Sequence, residues 1–321
     1  MTETQAGNRP LLIITGPTAV GKTALSIQAA KALNGEVVSA DSMQVYRHMD
    51  IGSAKVTREE MDGVPHHLID VLDPWEPFSV AVFQKLARDA VEDILSRGHL
   101  PIIAGGTGFY IQALLYDIDF QETEENTALR LELERLGEEK GAEYLHWMLA
   151  EIDPESAAAI HANNRKRVIR AIEYYRLTGE KISRHNEEER KKSSPYRFLY
   201  YVVTMDRAAL YERIDRRVDL MIERGLVEEV RRLKEMGCTR DMVSMQGLGY
   251  KEILDYLDGT CTLDEAVYVM KRDTRHFAKR QLTWFRRERD TRWLAQEDYN
   301  YDSGRMLEQI LADCEKELQW K

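Results

Sequence analysis

A chain of 321 residues exceeds the size at which a single hydrophobic core usually stops growing, so one large domain interrupted by an insertion is the expected organisation. Its 43% hydrophobic and 31% charged content excludes a disordered or fibrous protein, and Cys238, Cys261 and Cys314 are too widely spaced for a disulfide framework or a paired zinc site. A net charge of -10 opposes nucleic-acid binding by the molecule as a whole, because such binding is driven by Lys and Arg displacing counterions; only a local basic cluster would serve it.

Met1 to Pro10 is polar and lacks both a basic n-region and an apolar h-region, which argues against a secretory signal and for the cytoplasm. No apolar run approaches the roughly 20 residues that span a bilayer, so no membrane association is expected. Leu11 to Thr15 is apolar and rich in β-branched residues, the pattern of a fully buried parallel strand. A Gly-rich turn follows, then helical spacing from Lys22 to Asn34 with Asn34-Gly35 as its stop, then a second strand over Glu36 to Ala40. Ser79 to Arg97 reads as a helix closed by Gly98, and Leu100 to Ala104 as another buried strand, ending in Gly105-Gly106. This alternation predicts an α/β fold, a parallel sheet flanked by helices, with ligands at the carboxyl ends of the strands.

The pattern changes after Tyr116. Thr127 to Tyr175 carries helical periodicity only, Lys181 to Pro195 is a charged stretch expected as a solvated connection, and the next strand is Arg197 to Thr204. The expected division is a core of residues 1–118 and 196–321 around a helical insertion of residues 119–195. Beyond Thr204 the chain is largely helical, with Asp264 to Trp284 the longest pattern. Between Lys271 and Arg292 nine basic residues face three acidic ones, and this is the basic cluster that the overall charge leaves room for.

Gly16-Pro17-Thr18-Ala19-Val20-Gly21-Lys22-Thr23 matches G-x-x-x-x-G-K-[ST] between a strand and a helix, the setting a phosphate-binding P-loop requires. Its glycines let backbone N–H groups converge on phosphate oxygens, the following helix presents its positive end, Lys22 adds a charge, and the Thr23 hydroxyl can hold Mg²⁺. The loop reads phosphates and no base, so a P-loop small-molecule or nucleotide kinase remains an alternative. Such a kinase would carry a later strand ending in a magnesium-binding Asp, whereas this chain has Ile102-Ile103-Ala104-Gly105-Gly106-Thr107. Asp41 follows the second strand and belongs at the same sheet edge as the P-loop; alternatively it caps a helix starting near Ser42.

With these blocks in place the chain resembles the tRNA dimethylallyltransferases, also called tRNA isopentenyltransferases. The resemblance rests on GPTAVGKT (Gly16 to Thr23), SADSMQVYR (Ser39 to Arg47), PHHLIDV (Pro65 to Val71), IIAGGTGFYIQALL (Ile102 to Leu115), RKRVIRAIE (Arg165 to Glu173), DLMIERGLVEEV (Asp219 to Val230), QGLGYKE (Gln246 to Glu252) and KRQLTWFRR (Lys279 to Arg287). It implies a P-loop NTPase-like core and transfer of dimethylallyl from dimethylallyl diphosphate to N6 of the adenine 3′ of the anticodon. It further implies Mg²⁺ as cofactor, the tRNA anticodon stem-loop as partner, and a monomer. Asp41 is implied as general base, with Thr23 and Arg217 as further catalytic residues, and Gly16 with Thr18 to Thr23 as the donor-binding loop. Contacts to tRNA are implied for Asp41, Ser42, Met43, Gln44 and Thr107; for Lys166, Arg167, Val168, Ile169 and Arg170; for Gln246, Gly249, Tyr250 and Lys251; and for Lys279, Arg280, Gln281, Thr283, Trp284 and Arg286. His66 and His67 are expected to pack or cap near the site without chemistry. Eukaryotic members of the family carry a C-terminal Cys/His zinc finger, and its absence fits a bacterial-type member.

Overall fold

The computed structural model describes residues 9–120 and 127–320; the expectation placed on Met1 to Pro10 falls almost wholly outside them. Two compact units are present, Met1–Leu115 with Pro195–Lys321 and Tyr116–Ser194. The divisions thus fall one to three residues from the positions read in the sequence, 118/119 and 195/196.

The larger unit begins with β1 (Pro10–Thr15), α1 (Lys22–Ala32), β2 (Gly35–Ser39), α2 (Arg58–Met61), β3 (His66–His67), α3 (Val80–Ser96), β4 (Leu100–Gly105) and α4 (Gly108–Leu115). Within the smaller unit lie α5 (Thr127–Lys140), α6 (Ala142–Ile152), α7 (Pro154–Ala159), α8 (Arg165–Thr178) and α9 (Ile182–Lys191). The larger unit then resumes with β5 (Arg197–Thr204), α10 (Arg207–Glu223), α11 (Leu226–Glu235), α12 (Tyr250–Leu257), α13 (Leu263–Phe285), β6 (Thr291–Ala295) and α14 (Ser303–Asp313).

The six strands form one sheet, in the order β3-β2-β4-β1-β5-β6, and every pairing is parallel. Burial explains the choice. Leu11, Leu12, Ile13 and Ile14 of β1 are all fully buried, so both faces of this central strand are covered, as parallel sheets require. On one face Leu12, Ile14, Ile102, Leu199 and Tyr201 share a core with Leu25 and Ala29 of α1, Leu210 and Ile214 of α10, and Met306 and Ile310 of α14. Because all strands run the same way, their carboxyl ends, Thr15, Ser39, Gly105 and Thr204, share one edge.

Two strands escaped the sequence reading, and both are edges. β3 has only two residues, and in β6 only Leu294 is buried while Arg292 pairs with Asp313 and Glu317. A half-polar edge strand carries little of the apolar signal that marks a central one. The first helix also stops earlier than expected: Leu33 is its cap, and Asn34 takes a left-handed φ of 50° to leave it.

The insertion has its own core of Leu129, Leu133, Leu145, Leu149, Ala157, Val168, Ile169, Ala171 and Ile172. Here the expected solvated connection is corrected, since Ile182–Lys191 is the helix α9. The charge run does not stop a helix here, because Arg184–Glu188 and Lys191–Glu187 pair across one turn. The start of α9 is anchored by Asp153, whose carboxylate accepts from Ser183 N–H (3.0 Å) and Ser183 Oγ (2.7 Å) while also capping α7 through Ser156 N–H (3.2 Å).

Candidate active site

The P-loop is shaped by its neighbours. A Cβ at Gly16 would lie 2.2 Å from the Val203 carbonyl oxygen of β5, so only glycine lets the loop leave β1 there. Gly21 caps α1 with φ 97°, a conformation that glycine adopts without penalty. Among the described residues no side chain caps this helix, and its first turn holds no acidic residue. The N–H groups of that turn therefore point into the cavity, ready for an anion. Lys22 reaches back along the loop, its Nζ donating to the Pro17 carbonyl at 3.0 Å. From α10, the Arg217 Nη1 donates to Thr18 Oγ1 at 3.4 Å. Gln296, just after β6, closes the other side by donating to the Val20 carbonyl.

Lys22 and Arg217 are partly buried cations, and neither forms an ion pair within 4.0 Å with a described carboxylate. Burial pushes the Lys22 ammonium down to about 8, opposed by the nearby Asp41 and reinforced by Arg217. The Arg217 guanidinium is likewise lowered, chiefly by burial, with Asp41 opposing. Two part-buried cations beside a P-loop, with no carboxylate in ion-pair contact, make a site that an anion would complete. The sign for donor binding follows. Lys22 is charged below about pH 8, and a bound diphosphate favours its charged form. Donor KM is expected to stay flat below that pH and to rise above it, by up to about tenfold per pH unit. A donor KM independent of pH between 7 and roughly 9.5 would remove Lys22 from donor binding.

Asp41 stands across the cavity. Its Oδ1 accepts from Met43 N–H at 2.9 Å, and the chain continues as a turn. The alternative expectation of a helix starting near Ser42 is therefore corrected: the carboxylate closes a two-residue turn. Gln44 is held by Ser39 Oγ, which donates to its Oε1 at 3.3 Å, and by the Ala54 carbonyl, which accepts from its Nε2 at 3.3 Å. The cavity between these walls, about 560 Å³ and open to solvent, is lined by Thr18, Lys22, Thr23, Asp41, Gln44 and Arg217. It is also lined by the apolar Val37, Val56, Ile69 and Ala104. His66 lines it too, its Nδ1–H donating to the Val64 carbonyl at 2.8 Å, and burial holds the ring below its usual pKa, hence neutral. His67 instead hydrogen-bonds Glu36, whose carboxyl the Arg97 guanidinium, ahead of that bond, holds down at about 2.

Behind the cavity lies α13, which a Thr262–Glu265 capping box starts and which packs against the segment after β4. Gly106 and Gly108 are the two places where this helix touches the turn after β4. A Cβ on Gly106 would meet Gln281 Nε2 at 2.2 Å, and one on Gly108 would meet the Trp284 indole at 2.2 Å. Gln281 and Trp284 therefore turn toward these glycines, Gln281 buried and Trp284 partly exposed. The Trp284 ring packs on Gly108 and edge-on to Phe109, 6.0 Å between centroids. Lys279, Arg280, Thr283 and Arg286 remain exposed on the outer side, and Thr107 is half-buried with its N–H on the Ala40 carbonyl (3.2 Å).

The remaining expected residues divide in the same way. Tyr250 is fully buried, donating its hydroxyl to Glu229 Oε1 (2.9 Å) and accepting from Ser53 N–H (3.1 Å), so it supports the loop beneath Gln44 and does not face RNA. Gly249 is buried at φ 95°, with its N–H on Glu252. Gln246 is exposed and bonds the Arg240 carbonyl, and Lys251 lies between Glu252 and Asp273. In the insertion Lys166 and Arg167 are exposed and Arg170 is half-buried near Glu173, whereas the side chains of Val168 and Ile169 belong to the core.

Several residues of the site were missed from sequence. Arg213 sits one turn before Arg217, its guanidinium 3.8 Å from where a Gly21 Cβ would lie. The i, i+4 spacing was a usable signal. Glu229 accepts from three consecutive backbone N–H groups, Asp50 (2.9 Å), Ile51 (2.8 Å) and Gly52 (3.0 Å), and no local pattern announces it. Gln296 was equally silent.

The fold and cradle define a P-loop α/β protein whose cavity sets an anion cradle beside a carboxylate, an arrangement shared by kinases and other group transferases. The comparison with known proteins narrows this. The IPP transferase family model matches residues 44–288, and the isopentenyl transferase model matches residues 10–71. The chain belongs to the IPP transferase family. It is 59% identical to the tRNA dimethylallyltransferase of Lachnoclostridium phytofermentans over 97% of this chain and 99% of that one. It is 54% identical to that of Carboxydothermus hydrogenoformans over 94% of each. The solved full-length tRNA isopentenylpyrophosphate transferase of Bacillus halodurans superposes with a TM-score of 0.72 at 47% identity, covering 97% of this chain and 98% of that one.

Proposed function

We infer that the protein transfers a dimethylallyl group from dimethylallyl diphosphate to N6 of the adenine on the 3′ side of the anticodon in tRNA, releasing diphosphate. The observation that carries this is one cavity joining an anion cradle, an apolar wall of Val37, Val56 and Ile69, and a carboxylate, Asp41. The allylic C–O bond to diphosphate breaks and the N6–C bond forms. The amino proton passes to Asp41, which accepts it as general base because the adenine amino lone pair is delocalised and weakly nucleophilic. Charge gathers on the leaving oxygens, where Lys22, Arg217 and the P-loop N–H groups are aimed. A kinase reading has less support, since β4 ends in Ala104-Gly105 and supplies no carboxylate for a nucleotide's magnesium.

Among the described residues no three His, Cys, Asp or Glu side chains converge as a metal cage. The exposed Thr23 hydroxyl in the cavity suits a hard divalent cation that arrives with the diphosphate and takes most ligands from it. Thr23 would hold that Mg²⁺, whose charge would ease departure of the diphosphate.

An adenine stacked in an anticodon loop reaches Asp41 only by leaving the stack, so the base is extruded into the cavity. Lys279, Arg280, Thr283 and Arg286 grip the loop phosphates; the insertion by itself offers Lys166 and Arg167 as exposed cations. Lys279→Ala and Arg286→Ala are each expected to weaken stem-loop binding and to make the salt dependence shallower by about one unit of slope. Affinity unchanged across a salt titration would remove that face from the interface. No helix of the described residues is long and apolar enough to cross a membrane, and we place the enzyme in the cytoplasm as a monomer.

The test of the reaction is nucleoside mass analysis of unmodified tRNA after incubation with labelled dimethylallyl diphosphate. Label in the adenosine 3′ of the anticodon is expected; label elsewhere, or none, would remove the assignment.

A further inference from the structure

Gln281 lies on the same helix as the exposed Lys279, Arg280, Thr283 and Arg286, yet it is only 6% exposed. Its amide oxygen accepts from the Thr18 N–H at 2.9 Å, and its amide nitrogen donates to the Gly106 carbonyl at 2.9 Å. Thr18 belongs to the P-loop and carries the hydroxyl that Arg217 contacts at 3.4 Å. Gly106 precedes Thr107, whose N–H bonds the carbonyl of Ala40, the residue before Asp41. One amide thus joins the loop that cradles diphosphate to the strand ends that present Thr107 and Asp41. Gly106 is bare because this amide occupies the space its Cβ would need. The Gly16 carbonyl oxygen lies 3.6 Å from the same point, so the loops after β1 and β4 meet at this one side chain.

We propose that Gln281 is a positioning residue, which holds the diphosphate loop in register with the Asp41 edge, and that it makes no contact with RNA. A glutamine suits the task because one planar amide offers an acceptor and a donor pointing to opposite sides. Removing it leaves the buried Thr18 N–H and Gly106 carbonyl without partners and frees the P-loop from α13. The proposal rests on the transfer reaction inferred above, and one arm of its test does not.

The test uses the full chain with Gln281→Met, which keeps length but no hydrogen bonds, and Gln281→Glu, which keeps an acceptor for Thr18 should the Met variant not fold. Donor KM, kcat, affinity for inorganic diphosphate and affinity for an anticodon stem-loop are measured. For both variants, donor KM and the diphosphate Kd are expected to rise on the order of tenfold. Stem-loop affinity is expected to stay within about twofold, since the outward cations are untouched. Loss of stem-loop affinity with unchanged diphosphate affinity would overturn the proposal and return Gln281 to the RNA interface. The diphosphate titration needs no prenyl transfer, so it stays readable if the reaction proves to be another. A double-mutant cycle adds a second arm: Gly106→Ala is expected to raise donor KM while Gln281 is present and to do no further harm once Gln281→Ala has vacated the space. Additive losses in the double variant would also overturn it.

Discussion

Asp41→Asn is expected to lower the rate of prenyl transfer by roughly 10²- to 10⁴-fold while leaving stem-loop affinity nearly intact. The choice of Asn separates two roles that the geometry combines. One carboxylate oxygen of Asp41 closes the turn through Met43 N–H at 2.9 Å, and an Asn side chain keeps that acceptor. What it loses is the capacity to take the adenine amino proton. Asp41→Ala removes both and is expected to be no more active. If the Asn variant worked at the wild-type rate while the Ala variant did not, the residue would serve the turn and not the chemistry. Full activity in both would dismiss it altogether.

Arg217→Ala is the second large effect, expected to reduce transfer by about 10²- to 10³-fold through lost stabilisation of the departing diphosphate. Arg217→Lys is not expected to restore it, because an ammonium is a point charge and cannot reproduce a planar fork aimed at phosphate oxygens. Stability supplies an independent reading. Arg217 is partly buried: desolvation disfavours its charge, Asp41 and Glu60 offset that, and Arg213 adds a smaller like-charge penalty. Its one hydrogen bond, to Thr18 at 3.4 Å, is long and it forms no ion pair within 4.0 Å, so its removal costs the fold little and Tm is expected to hold while activity falls. A Tm loss matching the activity loss would make Arg217 a structural residue.

The sheet and the cradle were legible because their signals are local. β1, β2, β4 and β5 are apolar runs between turn residues, and the P-loop motif occupies eight consecutive positions between a strand and a helix. What escaped was non-local or masked by charge. β3 and β6 are edges with few buried side chains, and α9 hid within a charge run that its own i, i+4 pairs neutralise. The expected RNA contacts illustrate a different limit. They came as runs along the chain, Lys166 to Arg170 and the set Lys279, Arg280, Gln281, Thr283, Trp284 and Arg286, but a helix turns its faces every three or four residues. Within each string the exposed cations look outward, while Val168, Ile169, Gln281 and Trp284 look inward. Tyr250 belongs to the same lesson: its partners Glu229 and Ser53 are 21 and 197 residues away in sequence, beyond any local pattern.

The central claim is that the P-loop cavity holds the diphosphate of a prenyl donor, not the phosphates of a nucleotide. Its most direct measurement is a parallel turnover assay on one preparation with unmodified tRNA, supplying labelled dimethylallyl diphosphate in one vessel and labelled ATP in the other. The expected result is one diphosphate released per prenyl group transferred in the first and no tRNA-linked turnover in the second. ATP consumption with no prenylated tRNA would contradict it.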